Sequence, residues 1–463
     1  MALTAKEEEQ IKILLVAFEN GKRLNELPSA TSTNPFDLIT EVMDIDGESK
    51  QAKLATMLPY IEDQCSYGVR IDLTTSQLIR IGNMELHRTL PLHNRMLGCL
   101  VNNDGTVNEY LTPNNWSAHD LSGASGQVCV EIPDLYFSNK VIGNYQEVRF
   151  SEFPLPGYLK VDRFYYGAYE GAVDRTNNML CSIMNATAQF RGGSNQANLD
   201  GGFNSQLGMP ATAMSLTSSR TLANARGTAW QIEDIFHYSI LCWLFYVEYG
   251  TLNSQLPVNA QLDANSYHMG GLGDGVVSVA KWVDFGYYPV VRCGATNSLG
   301  NGTGEVPITI INMDGTTQIA KQCRYRGIES IFGHIHKWKD GVLLDAGTEV
   351  TKAYICRDKA KYADTITADY EMVGLLPRTE GYVKNMVTSK YGVLLPQSIG
   401  GGSTTGFGDY FYTNATTSQG VRGCMFGGYA HGGAYAGLGA ANASYAPSNT
   451  TAYFGSRLLC IQR

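Results

Sequence analysis

The sequence predicts an irregular α+β fold in which one long helix lies among many short strands and long ordered loops. Three observations support this prediction. The segment from about Trp230 to Tyr249 has the length and the apolar spacing of a long helix that buries one face. Short alternating or apolar runs bounded by turn residues recur through the rest of the chain. Fifty glycines in 463 residues indicate many tight turns.

The composition is that of an ordered globular protein. Hydrophobic residues make up 44% of the chain and charged residues 17%, with 27 Tyr and 16 Phe. The formal net charge is −8 and no Lys/Arg-rich run occurs, which argues against nucleic acid or an anionic membrane surface as a partner. No apolar run reaches the ~20 residues of a membrane span, and the polar start Met1–Glu9 is unlike a signal peptide. We therefore expect synthesis in the bacterial cytoplasm and no membrane insertion.

The ten cysteines are scattered singly, without a CxxC pair or a neighbouring His cluster. Metal-ligand spacing is therefore absent, and the cysteines are predicted to be reduced, buried thiols. No metal site and no cofactor are predicted from the ligand spacing. A structural calcium held by loop oxygens near Asp263 or Asp274 is left open.

Residues 1–60 are predicted to form an N-terminal anchor or oligomerisation segment, and residues 61–463 the main domain. Apolar side chains recur at helical spacing between residues 5 and 20, with Thr4 as N-cap and Gly21 as the end. Such a helix has no core of its own, so we expect it to dock on copies of itself or on a neighbouring protein. Packing back on its own domain is an equal alternative.

Shorter elements follow from local patterns. A strand is predicted from Leu38 to Asp46, and a short helix from Leu54 to Ile61 that ends near Pro59. Asn103-Asp104-Gly105, between alternating runs, predicts a hairpin. Further strands are predicted at Gly68–Leu73, Met96–Val101 and Gln127–Ile132.

Four segments, in order, suggest a particular α+β family. They are the aromatic strand Phe164–Glu170, the helix end Trp243–Tyr249, the run Tyr325–Gly341, and Val421–Gly423 with the later strand Gly455–Ile461. The third segment is similar to the signature G-L-x-x-x-x-G-N-V-W-E-W of the formylglycine-generating-enzyme-like branch of the C-type-lectin fold. Together the four segments resemble that branch, which implies a C-type-lectin-like domain over 61–463.

Within the third segment, four apolar residues recur at helix-like spacing, which indicates a core scaffold with a buried Trp. They are Ile328, Phe332, Ile335 and Trp338.

Three further runs, Met57–Gly68, Arg80–Pro91 and Leu299–Gly304, resemble variable proteins of diversity-generating retroelements in Bacteroidales phages and prophages. Asn20–Arg23, after the N-terminal helix, resembles virion structural proteins of such phages. In this group a reverse transcriptase rewrites adenines near the 3′ end of the gene, and the fold tolerates many side chains on one face. The resemblance implies a virion tail protein, a homotrimer joined to tail or baseplate proteins through 1–60. It also implies a host-surface protein or polysaccharide as ligand.

The composition near the C-terminus agrees with diversified asparagine codons. Randomising their first two bases cannot give Lys, Glu, Gln, Met or Trp, and none of these occurs between Phe426 and Ile461. Tyr, Ser, Gly and Asn, which adaptable binding surfaces use, are abundant there. The resemblance, with which this composition agrees, implies a variable binding region at about 405–463. The predicted ligand-facing positions are Tyr429, His431, Gly432, Tyr435, Gly439, Ala441, Ser444, Tyr445, Thr451 and Tyr453. The predicted framework positions are Gly423, Gly427, Gly428, Gly433, Gly437, Gly455 and Arg457.

Two alternatives remain to a diversified receptor-binding protein. One is a fixed structural tail or baseplate component without diversified binding. The other is an oxygenase of the formylglycine-generating type, which needs a reactive cysteine pair where this chain has Gly428 and Gly433. Cys424 lies too early and alone, and His334 with His336 does not make an iron-binding triad without remote partners. We therefore predict no catalytic residues and no enzymatic activity.

Overall fold

The computed structural model describes residues 39–43, 49–259, 261–262, 266, 268–272 and 279–462. The helix predicted between residues 5 and 20, and the calcium positions Asp263 and Asp274, lie outside these residues. The described chain is mostly β-structure with few helices. No helix in this described part is both long and apolar enough to cross a membrane.

The strands are numbered here in chain order. The first fourteen are β1 (Ile39–Met43), β2 (Ser49–Lys53), β3 (Tyr67–Asp72), β4 (Leu78–Gly82), β5 (Leu97–Val101), β6 (Val107–Tyr110), β7 (Gln127–Ile132), β8 (Leu135–Ile142), β9 (Tyr145–Ser151), β10 (Leu159–Val161), β11 (Phe164–Gly167), β12 (Ala172–Asp174), β13 (Met179–Cys181) and β14 (Trp230–Ile232). The others are β15 (Gly304–Ile311), β16 (Thr317–Tyr325), β17 (Ile328–Glu329), β18 (His336–Ala346), β19 (Val350–Ile355), β20 (Glu371–Pro377), β21 (Gly381–Met386), β22 (Pro396–Ile399), β23 (Tyr410–Tyr412), β24 (Gly420–Phe426), β25 (Ala441–Asn442), β26 (Phe454–Gly455) and β27 (Leu458–Ile461). The α-helices of the described residues are α1 (Leu54–Cys65), α2 (Met84–Thr89), α3 (Leu216–Asn224), α4 (Ile235–Tyr249) and α5 (Val279–Asp284).

Three sheets organise the described chain. One has the order β10-β8-β9-β3-β4, and a second has the order β14-β27-β11-β7-β5-β6. The largest has the order β20-β19-β18-β24-β25-β23-β21-β22, with β26 paired to β18. The remaining strands form the small sheets β1-β2, β12-β13 and β15-β16-β17.

The strand predictions in the first third of the main domain are confirmed within a residue. β3, β5 and β7 coincide with the three predicted runs. Before the main domain, β1 lies inside the predicted strand from Leu38 to Asp46. β5 and β6 pair antiparallel across the predicted hairpin turn. Gly105 ends that turn with φ of +88°, a conformation that favours glycine.

The two helix predictions that fall within the described residues needed correction at their ends. α1 continues through Pro59 to Cys65, so the proline does not end it. α4 begins at Ile235 rather than Trp230, because Asp234 caps it by accepting a hydrogen bond from the His237 amide, and β14 precedes it. The expectation of a single apolar face is also wrong, since the side chains from Ile235 to Val247 are buried all round, His237 excepted. α4 is thus a fully buried core helix.

Tyr325–Gly341 contains the end of β16, the two-residue β17 and the start of β18, although its apolar residues follow helical spacing. The four apolar residues predicted as scaffold are nonetheless buried. Trp338 Nε1 donates to the Met214 carbonyl at 3.0 Å. A Cβ atom added at Gly423 would lie 2.7 Å from the Trp338 ring, which explains a glycine at that predicted framework position.

The four segments on which the family resemblance rests meet in the core. β11 pairs antiparallel with β27, so the opening and closing strands lie side by side. The fully buried Arg457 donates to the carbonyl oxygens of Gly167 at 2.8 Å and Glu329 at 2.6 Å. Arg326 joins the third segment to the end of α4 through an ion pair with Glu248 at 2.6 Å.

Two buried ion clusters bind the third segment to its neighbours. Glu170 pairs with Lys337 at 3.1 Å and with His334 Nδ1 at 2.6 Å, all three at most 3% exposed. Burial alone would raise the pKa of Glu170, but Lys337 and His334 lower it to about 2. Glu233 pairs with Lys339 at 2.5 Å, and both side chains are fully buried. Removing one partner of such a pair leaves an uncompensated buried charge.

Candidate ligand-binding face

Tyrosines from separate strands and loops meet on one side of the largest sheet. The ring centroid of Tyr435 lies 4.4 Å from that of Tyr410 and 5.7 Å from that of Tyr382. Tyr410 also contacts Tyr412 two residues along β23, at 4.7 Å. The Tyr435 side chain is 44% exposed, so this group reaches the surface.

A second aromatic group lies beside the first. Tyr429 stacks on Trp282 with ring centroids 5.6 Å apart and an interplanar angle of 14°. Tyr453 lies 5.6 Å from Tyr429, and His431 lies 4.8 Å from Trp282. Trp282 is buried, so it supports the half-buried rings above it.

Hydroxyl contacts join the two groups into one surface. Burial, and a side-chain hydrogen bond with Tyr429, raise the pKa of Tyr412. Burial likewise raises the pKa of Tyr453, with a further contribution from its hydrogen bond to Tyr445. We call the resulting surface the tyrosine face; it consists of Tyr382, Tyr410, Tyr412, Tyr429, Tyr435, Tyr445 and Tyr453.

The predicted ligand-facing positions divide into two groups. Tyr435 is exposed, and six others are half-buried at the surface: Tyr429, His431, Ser444, Tyr445, Thr451 and Tyr453. Gly432, Gly439 and Ala441 are buried and do not lie on the exposed face. Ala441 pairs with Phe426 inside the sheet, which accounts for its burial. Whether the surface positions bind a ligand stays a prediction.

A groove of about 580 Å³ opens beside the tyrosine face. Tyr412, Tyr429, Tyr445 and Tyr453 form its aromatic part. The other lining residues are polar apart from Ala415, and they are Arg378, Thr379, Glu380, Asn414, Thr416, Asn442 and Ser444.

The loop that presents Tyr435 is held from below by buried polar groups. Asp409 Oδ2 accepts from the Gly439 amide at 2.7 Å, and Ser254 Oγ accepts from the Leu438 amide at 2.9 Å. Asp409 Oδ1 is buried without a hydrogen-bond partner. Added Cβ atoms at Gly437 and Gly439 would lie 1.8 Å from Oδ1 and 2.7 Å from Oδ2. A side chain at either position would therefore collide with Asp409, although Gly437 is a predicted framework position and Gly439 a predicted ligand-facing one.

His336 is a buried histidine directly beneath the tyrosine face. Its ring lies 5.0 Å from that of Tyr429, and both ring nitrogens lack a hydrogen-bond partner. Burial, with Lys337 and Lys339 nearby, lowers the pKa of His336 to about 3. The imidazole is therefore neutral at physiological pH, and it packs as an aromatic support.

The positions that would hold an oxygenase's cysteine pair are glycines with left-handed backbone. Gly428 has φ of 71° and Gly433 has φ of 51°. Cys424 is fully buried, and burial raises the pKa of its thiol to about 12. All ten cysteines are buried and unpaired, as predicted.

Sequence reasoning missed the strand tyrosines of the face and the polar rim of the groove. Tyr410 and Tyr412 lie inside the predicted variable region but were not singled out, because the compositional evidence begins at Phe426. Their spacing of two places both on the same face of β23, a signal that was available. Tyr382, Arg378 and Glu380 lie before the predicted region, and only the fold brings them to the face.

No family model matches the chain, and no curated protein matches it. Solved structures titled Major Tropism Determinant align over most of its length. The U1 variant aligns with a TM-score of 0.27 and 11% identity, over 93% of this chain and 82% of that chain. The P3c variant aligns with a TM-score of 0.27 and 11% identity, over 94% of this chain and 85% of that chain. Scores this low assign neither the fold nor the function.

Proposed function

We propose that this chain is a non-enzymatic ligand-binding protein with a C-type-lectin fold. More specifically, it is the receptor-binding tail protein of a Bacteroidales phage or prophage, diversified by a retroelement and attached to the host surface through the tyrosine face. The observation that carries the proposal is the tyrosine face itself. On this surface, tyrosines predicted from the codon composition lie next to tyrosines of the strands β21 and β23.

The contacts between the four resembling segments support the lectin-fold part of the proposal. Each segment touches another through β pairing, Arg457 or the Arg326–Glu248 ion pair. The framework glycines at 423 and 437 also lie where a side chain would collide with the core.

The chemistry of the face favours binding over catalysis. Tyrosine offers a rigid, amphipathic ring and loses little side-chain entropy when it is buried by a partner. Glu170 and His334, which could transfer protons, are buried and paired with each other. The thiol of Cys424 is held protonated by burial. We also propose a homotrimer joined to the tail or baseplate through 1–60, with three faces adding avidity.

Changing Tyr429, Tyr435 and Tyr445 together to Ala should reduce binding to host cells by about 100-fold, because aromatic anchors dominate binding energy at such surfaces. Retention of labelled protein on Bacteroidales cells measures this. Tyr145→Ala is a matched control, since Tyr145 is 43% exposed but lies on β9 outside the face. A triple variant that folds normally and binds like wild type would remove the tyrosine face from the proposal.

Diversification predicts a specific pattern in the gene. Sequencing its 3′ end in a growing lysogen population should find substitutions at the surface codons, such as those of Tyr435 and Tyr453. The codons of Gly437 and Gly439 should stay constant, because side chains there would collide with Asp409. An invariant 3′ end would instead favour the fixed structural tail component.

A further inference from the structure

We infer that the groove beside the tyrosine face binds a neutral, polyhydroxylated sugar chain, which makes the ligand a surface polysaccharide. This inference rests on the proposed function, because it names the ligand class of the same face. It depends on the lining of the groove, on the state of its two charged side chains, and on its size.

The lining suits sugar rings better than protein side chains. Apart from the four tyrosines, it consists of hydroxyl, amide and charged groups with Ala415, and it contains no Val, Leu, Ile, Met, Phe or Trp. A pyranose has an apolar face of C–H groups that can lie on an aromatic ring, and hydroxyls at its edge that need polar partners. Anchors of protein partners instead fill well-packed, desolvated pockets.

Glu380 is fixed in place as a hydrogen-bond acceptor. Its Oε1 accepts from the amides of Thr413 at 3.0 Å and Asn414 at 2.7 Å. Its Oε2 makes no hydrogen bond with a described residue, and the side chain is exposed at the groove. A carboxylate oxygen held this way can accept charge-assisted hydrogen bonds from hydroxyls. The same charge would repel an acidic ligand.

Arg378, the cation of the groove, uses its two terminal nitrogens within the protein, and its Nε is buried without a hydrogen-bond partner. Its guanidinium donates to Thr413 Oγ1 at 2.9 Å and to the carbonyls of Ala415 at 2.9 Å and Ser418 at 2.7 Å. These bonds hold the loop that forms one wall, and the side chain is only 7% exposed. The groove therefore presents a free carboxylate oxygen rather than a free cation, which favours a neutral ligand over an anionic one.

The size of the groove agrees with a short stretch of sugar rings. Its volume of about 580 Å³ falls within the roughly 300–1,000 Å³ of small-ligand sites. A stable protein interface buries on the order of 1,200–2,000 Å² and would need contacts far beyond this groove.

The first test separates a sugar ligand from a protein ligand on the host. Bacteroidales cells are treated with periodate, which cleaves vicinal diols, or with proteinase K, and retention of the wild-type protein is measured. We expect periodate to abolish retention and the protease to leave it. Retention lost only to the protease would overturn the sugar ligand and leave receptor binding intact. No retention on untreated cells would overturn both.

The second test places the sugar in the groove and decides its charge. Gel electrophoresis with embedded mannan or dextran, as neutral probes, should retard the wild type, and polygalacturonate should not. Retardation by polygalacturonate alone, or by none of the three, would overturn a neutral sugar ligand.

Two pairs of variants locate the binding. Thr416→Arg fills the groove from an exposed position and should weaken retardation and cell retention by tenfold or more, whereas Thr417→Arg, exposed but outside the lining, should not. Glu380→Gln should weaken both by about tenfold, and Glu349→Gln, an exposed carboxylate elsewhere, by less than about twofold. If both members of each pair affected binding equally, the groove would not be the site that binds the sugar.

Discussion

Replacing Lys339 by Met is expected to lower the free energy of unfolding by about 3–5 kcal/mol, because it leaves Glu233 charged and buried without its partner. Lys339 Nζ lies 2.5 Å from Glu233 Oε1 and 4.1 Å from the centre of the Tyr238 ring, and both charged side chains are fully buried. Burial lowers the pKa of Lys339 to about 8, and Glu233 partly opposes this shift. Because Met preserves most of the side-chain volume of Lys, the decrease in the free energy of unfolding measures the effect of removing the Lys339 charge. Urea unfolding at pH 7 measures it.

Two comparisons distinguish the buried charge from a general effect of losing a lysine. The exposed pair Lys160–Asp162 is as close, at 2.6 Å, but its side chains are 56% and 64% exposed. Lys160→Met should therefore cost less than about 1 kcal/mol. Adding Glu233→Gln to Lys339→Met should recover a large part of the loss, since Gln still accepts from the Tyr166 hydroxyl. Equal losses for the two lysine variants would contradict the argument.

The strands could be predicted where local chemistry determines them. Asn103-Asp104-Gly105 sets its turn almost regardless of context, and β7 alternates between turn signals. The error in α4 has a different cause. Trp230 and Ile232 are apolar like the helix that follows, and their strand state depends on pairing with β27, more than two hundred residues away. Periodicity within the segment contains no information on that pairing.

The same limit applies to the tyrosine face. Of the ten positions chosen from composition near the C-terminus, seven lie at the surface and three, Gly432, Gly439 and Ala441, are buried. Composition could not separate Gly439 from Tyr435, since both amino acids are permitted outcomes of randomised codons. What separates them is Asp409, which fills the space beside Gly439. Glu380 and Arg378 come to the groove only through the largest sheet, so no local pattern marks them.

Asp409 also makes the anchoring of the loop that presents Tyr435 dependent on pH. It is fully buried, and burial raises the pKa of its carboxyl to about 8, although the Gly439 amide and Ser254 partly lower it. In the unfolded chain the carboxyl titrates near its ordinary pKa of about 4. The pKa of Asp409 is therefore higher in the folded chain than in the unfolded chain. The stability that the neutral Asp409 carboxyl contributes is complete below about pH 4 and is lost as the pH rises towards 8.

Asp409→Asn should remove this loss, because an amide accepts from Gly439 as the carboxyl does and carries no charge. The difference between the free energy of unfolding of the variant and that of wild type should grow by about 1 kcal/mol per pH unit between pH 5 and 8. Above pH 8 this difference should grow little further. Urea unfolding across that range measures the difference, with the exposed Asp284→Asn as a control that should parallel wild type. If Asp409→Asn also ran parallel to wild type, the carboxyl would be ionised at pH 5. The loop under Tyr435 would then rest on a buried charge rather than on a neutral acid.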